Sequence, residues 1–118
     1  MDHKHISIND MNSGKSINRV ELQGRVGTVR IQMMDDQMVS NFSLMTEYVY
    51  KLKDGAMVCE TTHHNVVAFE GGDVKTLGLT RGSLVHLTGR IRMSRYTAAD
   101  GSERVFTEIM ADSLKVVE

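Results

Sequence analysis

The strongest constraint on the fold is a two-residue alternation of apolar and polar side chains that changes phase at a glycine. Val20, Leu22 and Val26 share one parity, with Gly24 among them, while Arg19, Glu21, Gln23 and Arg25 take the other. This is the period of a half-buried strand. After Gly27 the apolar parity passes to Val29 and Ile31. A strand that switches faces at glycine is bent or bulged, as a small closed barrel requires where its sheet turns a corner.

Four more extended runs follow. A polar interval at Asp35 and Asp36 precedes residues 38–51, which carry Phe42, Leu44, Tyr48 and Tyr50 on one parity, and Asp54-Gly55 reads as a hairpin turn. Residues 57–70 form a third run rich in Val and Thr that stops at Gly71-Gly72. Residues 73–79 are the one stretch where a short helix of one or two turns is expected, bounded by glycines and by Arg81-Gly82. The fourth strand covers 84–97, Asp100-Gly101 supplies a turn, and the fifth covers about 104–117. Three strands, a short helix and two strands form the element order of an all-β, five-stranded OB-fold barrel. The 118 residues contain no proline, which suits long continuous ladders. This length supports one domain, placed at residues 17–118. Residues 1–16, aperiodic and ending in Asn12-Ser13-Gly14-Lys15-Ser16, read as a flexible leader.

Charge is nearly balanced overall and strongly uneven along the chain. Fourteen Lys and Arg against fifteen Asp and Glu give −1, which excludes a wholly basic coat protein and a polyacidic tail protein. Residues 75–99, however, hold Lys75, Arg81, Arg90, Arg92 and Arg95 and no carboxylate. Such a segment is the footprint of a phosphate-tracking surface. Parity within it directs Val85, Leu87, Ile91 and Met93 to a core, and His86, Thr88, Arg90, Arg92, Ser94 and Tyr96 to the opposite side. Arginines two residues apart on a strand stand roughly 6.5 to 7 Å from each other, comparable to successive phosphates of an extended single strand. Taken alone, the stripe reads more readily as a solvated strand face, since many outer strand faces carry charge.

Other chemistries find little support. Cys59 is the single cysteine, so no intramolecular disulfide or multi-thiolate metal site is possible; it reads as a small strand residue of a protein from a reducing cytoplasm. No apolar run approaches the roughly 18 residues of a membrane span, and no secretory signal is expected. The glycines form no phosphate-cradling loop before a helix, and the carboxylates lie outside the basic strand, where a metal nuclease would need them. His63 and His64 are adjacent and point to opposite faces, so they do not chelate one ion. His3 and His5 share a parity within the leader and read as a chance arrangement. Phe42 and Phe106 are assigned to the core and the nine methionines to core filling and loop tips, while Tyr48 could stack or pack across a barrel rim. The chain is expected to be no enzyme, with no cofactor and no metal.

Several ordered blocks carry a family resemblance. They are the run from Asn18-Arg19-Val20-Glu21-Leu22-Gln23-Gly24-Arg25-Val26-Gly27, then Phe42-Ser43-Leu44-Met45-Thr46, and Glu60-Thr61-Thr62-His63-His64-Asn65-Val66-Val67-Ala68-Phe69. Arg81-Gly82-Ser83-Leu84-Val85, Gly89-Arg90-Ile91-Arg92, Tyr96-Thr97, Asp100-Gly101 and Thr107-Glu108-Ile109 follow. Across about 100 positions the chain resembles the bacterial single-stranded DNA-binding protein family. The resemblance implies an OB-fold protein that wraps single-stranded DNA without strict sequence preference in replication, recombination and repair. It implies a cytoplasmic, nucleoid-associated homotetramer, with a dimeric primosomal OB-fold adaptor that mainly grips protein partners as the alternative.

The same resemblance implies four base-stacking positions, here Tyr50, His63, Phe69 and Tyr96, and phosphate contacts from Arg25, Lys51, Arg90, Arg92 and Arg95. Stacking suits binding without sequence preference because every base has a π-face. His64 falls at the family's subunit contact. Two departures stand out. His63 occupies a position where the family commonly has Trp, which implies weaker and more pH-sensitive stacking there. The sequence also ends at Glu118 without the acidic, Phe-ended tip through which the family recruits replication and repair proteins, so it is either part of a longer protein or a pure DNA coat.

Overall fold

In a computed structural model that describes residues 15–118, five strands account for nearly all regular structure. They are β1 (Val20–Met34), β2 (Gln37–Lys51), β3 (Met57–Phe69), β4 (Leu84–Thr97) and β5 (Glu103–Val116), the last four within one residue of the expected bounds. The leader expected at residues 1–16, with His3 and His5, lies outside the described residues except for its last two positions.

The strands close into a barrel in the order β1-β2-β3-β5-β4. Closure depends on β1 serving two partners. Its first part pairs with β4, from Val20↔Gly89 to Arg25↔Leu84, and its second with β2, from Arg25↔Met45 to Met34↔Gln37. The register with β2 slips between Val26 and Val29, where the apolar parity switches in the sequence. A short parallel contact, Val66↔Ile109 and Val67↔Met110, closes the remaining seam between β3 and β5.

Two glycines stand where strands cross closely. A Cβ on Gly24 would press into the Met45 carbonyl oxygen, and one on Gly89 into the Met110 carbonyl oxygen. The β1–β2 turn is tighter than its sequence suggests, since Asp35 and Asp36 both take positive φ (51° and 65°), the geometry of a two-residue hairpin turn. Asp and Asn tolerate that region better than most residues with a Cβ.

The helix expected at 73–79 does not form; the segment is a chain of turns and single bridges. Its polar groups are committed elsewhere. Lys75 N donates to the Leu114 carbonyl and Leu114 N to the Asp73 carbonyl, both at 2.9 Å, while the Glu70 carboxylate accepts from Thr76 N at 3.0 Å and from Thr76 Oγ1 at 2.5 Å. Gly72 just before the run and Gly78 within it, both at positive φ, interrupt helical geometry. The segment thereby delivers buried Val74 and Leu79 as a plug for one end of the barrel.

Inside, Leu44, Leu87, Leu114, Val66 and Val85 anchor the main core, with Phe42 among them as expected. A smaller cluster of Val39, Val67 and Met110, flanked by Phe69, lies on the outward side of β2, β3 and β5. Beyond Gly89, β4 has only β5 as a neighbour, and beyond Met45, β2 has only β3. Two hairpins therefore project from the barrel. This corrects the assignment of Ile91 and Met93 to the core: they hold core parity but are 48% and 70% exposed, because no strand covers that side of the projecting hairpin.

The close strand crossings make a direct prediction. Gly89→Ala and Gly24→Ala should each lower stability by about 1–3 kcal/mol, the usual cost of overpacking, read as a shift in urea midpoint. An unchanged midpoint for both would contradict the packing described.

Candidate nucleic-acid interface

Strand register fixes which side each candidate side chain takes. The pairs Arg90↔Met110, Arg92↔Glu108, Ser94↔Phe106 and Tyr96↔Arg104 align β4 and β5, and Val67↔Met110 carries the same side onto β3. From there Val39↔Phe69, Asn41↔Val67, Ser43↔Asn65 and Met45↔His63 continue it onto β2. His63 and Phe69 on β3 and Arg90, Arg92 and Tyr96 on β4 thus all lie on the outward side of the barrel wall. Arg25, opposite Met45, extends the same side to β1, and Lys51 shares its parity at the far end of β2.

They do not share one groove. Tyr96 lines an open groove of about 760 Å³ together with Arg30, Asn41, Asn65 and Phe106. His63 lines a separate hollow of about 270 Å³ with Thr62, Ile91 and Thr107. Glu108 borders both, and Phe69 borders neither. Tyr50 and Arg95 lie on the other parity. Tyr50 packs against exposed Tyr48 on the β2–β3 hairpin, ring centroids 5.9 Å apart. Tyr48 is thus a neighbour of Tyr50 rather than a part of the barrel rim.

The electrostatics differ from the charge string. In sequence the basic segment holds no carboxylate, yet β5 brings Glu108 and Glu103 alongside β4. Arg92 Nε donates to Glu108 Oε1 at 2.7 Å, and Ser94 Oγ donates to the same oxygen. Glu108 is only 8% exposed whereas the Arg92 side chain is 42% exposed, so the carboxylate is shielded and the guanidinium still meets solvent. Arg95 meets Glu103 at 3.5 Å with both groups exposed, a pair of little energetic weight. Arg25 binds Glu118 at 2.9 Å and the Gly82 carbonyl at 3.2 Å. Among the described residues Lys51, Arg90 and Arg30 have no carboxylate partner within 4 Å. The expectation that carboxylates stay away from the basic strand is therefore corrected: the segment is neutralised in part by its antiparallel neighbour.

Residues that sequence reasoning missed belong to the large groove. Phe106, assigned to the core, is half-buried and belongs to neither core cluster; its ring meets Tyr96 edge-on at 5.7 Å. Arg104, two residues earlier on the same side, was the available signal. Arg30 gave its own signal through the phase change after Gly27. Asn41 and Asn65 carried none, because their importance depends on the β2–β3 register. Cys59, expected as a small strand residue, does sit in β3 and is exposed.

His64 faces the other way from His63, opposite Leu44, with Nε2 at 2.9 Å from Thr46 Oγ1. Burial, and secondarily the neighbouring His63, hold its pKa below the ordinary 6.5.

A closed five-stranded barrel of this strand order, with aromatic rings and arginines along one outer wall, defines the class: an OB-fold binding module. The chain belongs to the single-strand binding protein family, whose model, described as "Single-strand binding protein family", matches residues 17–117. It is 34% identical over 106 residues to a single-stranded DNA-binding protein of Neisseria meningitidis, covering 86% of this chain and 60% of that one. A relative from Xylella fastidiosa is 35% identical over 106 residues, covering 87% of this chain and 65% of its own length. A mitochondrial single-stranded DNA-binding protein of Pongo abelii is 33% identical over 110 residues, covering 85% and 74%. The chain thus spans about 60% of the length of its Neisseria relatives. Among solved structures, the Plasmodium falciparum SSB in complex with ssDNA superposes with a TM-score of 0.76 at 23% identity, covering 89% of this chain and 98% of that one. A deletion mutant of the Thermus aquaticus single-stranded DNA binding protein gives 0.68 at 17% identity, covering 86% and 51%.

The lowered His64 pKa has a definite consequence for stability. The folded state disfavours the charged imidazole, so the stability this group contributes is complete above pH 6.5 and falls as pH drops through the lower, folded-state pKa. Wild-type protein should lose stability relative to His64→Asn between about pH 7 and pH 5 in urea titrations. Parallel midpoints across that range would contradict it.

Proposed function

We propose that this chain binds single-stranded DNA without strict sequence preference, as a subunit of a homotetramer serving replication, recombination and repair, and that it does so without catalysis. Membership in the single-strand binding protein family supports this reading. The observation that carries it is the outward wall of β3, β4 and β5, where His63, Phe69 and Tyr96 stand with Arg90 and Arg92. Rings supply contacts indifferent to base identity, and guanidinium groups hold the phosphates between them. Lys51 extends the path along the outward side of β2, and Tyr50, on the opposite side of the β2–β3 hairpin, joins it where the strand wraps around that hairpin. Arg25 joins it on the same side, and Arg95 from the opposite side of the β4–β5 hairpin where the strand wraps around, each exchanging an exposed carboxylate partner for a phosphate at small cost in water. His64, buttressed by Thr46, serves the contact between subunits.

Fluorescence anisotropy with labelled oligo-dT tests the reading. Five phosphate contacts predict a log–log salt slope near −3.5, at roughly 0.7 per contact for single strands. Duplex of equal length should bind far more weakly. A flat salt response, or equal affinity for duplex, overturns the proposal. A dimer with poor DNA affinity in light scattering would favour the adaptor reading instead.

The ring at residue 63 gives a second prediction. His63→Trp should tighten oligo-dT binding about fivefold or more, since each stacked base contributes roughly 1–3 kcal/mol with a good platform. Its emission, the only tryptophan signal in the chain, should be quenched by DNA. Unchanged affinity and unquenched emission would remove residue 63 from the path.

A further inference from the structure

We infer that the groove beside Tyr96 is an additional nucleobase subsite and that Phe106 is its stacking platform. The inference deepens the proposed function and rests on it. Phe106 is half-buried, lies outside both core clusters, and shares the wall of the 760 Å³ groove with Tyr96. That volume falls within the roughly 300–1,000 Å³ of pockets that hold small organic ligands, which includes a nucleotide.

The chemistry of the walls selects the occupant. Tyr96 and Phe106 meet edge-on, 5.7 Å apart at 61°, so at least one face of each ring is not covered by the other. Asn41 and Asn65 line the same groove, and a side-chain amide, both donor and acceptor, is suited to the polar edges of a base. Arg30 lines the groove without a carboxylate partner among the described residues, and Arg92 stands next to Glu108 at its border. An apolar face, amide-bearing edges and flanking cations complement a base attached to a phosphate, whereas a purely apolar segment would leave the amides and cations unpaired. The subsite also answers a deficiency of this chain: with His63 in place of a larger ring, Phe106 supplies a second aromatic platform on the β4–β5 hairpin.

Two variants test the assignment. Phe106→Leu keeps apolar bulk while removing the ring, and Phe106→Trp installs the chain's sole tryptophan in the groove. Phe106→Leu should weaken oligo-dT binding about fivefold or more in anisotropy, with the molecular mass by light scattering unchanged. Phe106→Trp should bind at least as tightly as wild type and lose fluorescence on adding oligo-dT. The inference is overturned, with the proposed function intact, if wild type binds oligo-dT while Phe106→Leu stays within twofold of it and Phe106→Trp emission does not respond. It is equally overturned if Phe106→Leu changes the mass, which would make this wall an interface between copies. Absence of oligo-dT binding by wild type overturns the proposed function and the subsite together.

Discussion

The structure depends on one strand serving two partners. Because β1 pairs with β4 through its first residues and with β2 through its last, the sheet closes on itself and leaves open edges only along the hairpins that project from it. Only a strand that bends can do this. That bend brings Gly24 closer to Met45 than a Cβ allows, and β4 makes a similar approach to β5 at Gly89 against Met110, beside its own register shift. Closure also ends the shared pairing of β4 at Gly89 and of β2 at Met45, releasing the two projecting hairpins on which Tyr50 and Tyr96 ride.

The outward wall is a compromise between charge and order. A long row of arginines on a two-stranded hairpin would repel itself and leave its side chains disordered. Pairing Arg92 with a shielded Glu108 fixes one guanidinium through Nε, whereas Arg90 has no carboxylate partner among the described residues. Removing Arg92 would leave the shielded Glu108 carboxylate poorly hydrated and without its partner, so Arg92 serves stability in addition to its proposed phosphate contact. The exposed pairs of Arg95 and Arg25 carry no such penalty and yield readily to a phosphate.

Much of the fold was legible because its signals are local. Alternation located all five strands, Asp54-Gly55 and Asp100-Gly101 marked their turns, and the phase change at Gly27 marked the bend. What failed was non-local. Residues 73–79 have the length of a helical turn, but their hydrogen bonds are claimed by Leu114 and Glu70, which no short window contains. Ile91 and Met93 alternate correctly, yet burial depends on whether a third strand lies beneath them. For the candidate site, parity on β4 placed Arg90, Arg92 and Tyr96 together, and the family resemblance added His63 and Phe69. Neither could reveal that β5 sets Glu108 against Arg92 and Phe106 against Tyr96, since those pairings depend on a register between strands.

The central claim is that barrel closure turns the outward wall of β3, β4 and β5 into a track for a single strand. Its most direct test is a crystal structure of the protein with oligo-dT. The account predicts bases stacked on the outward rings of that wall with phosphates at Arg90 and Arg92. A strand lying instead across the β1–β4 seam, with the wall unoccupied, would contradict it.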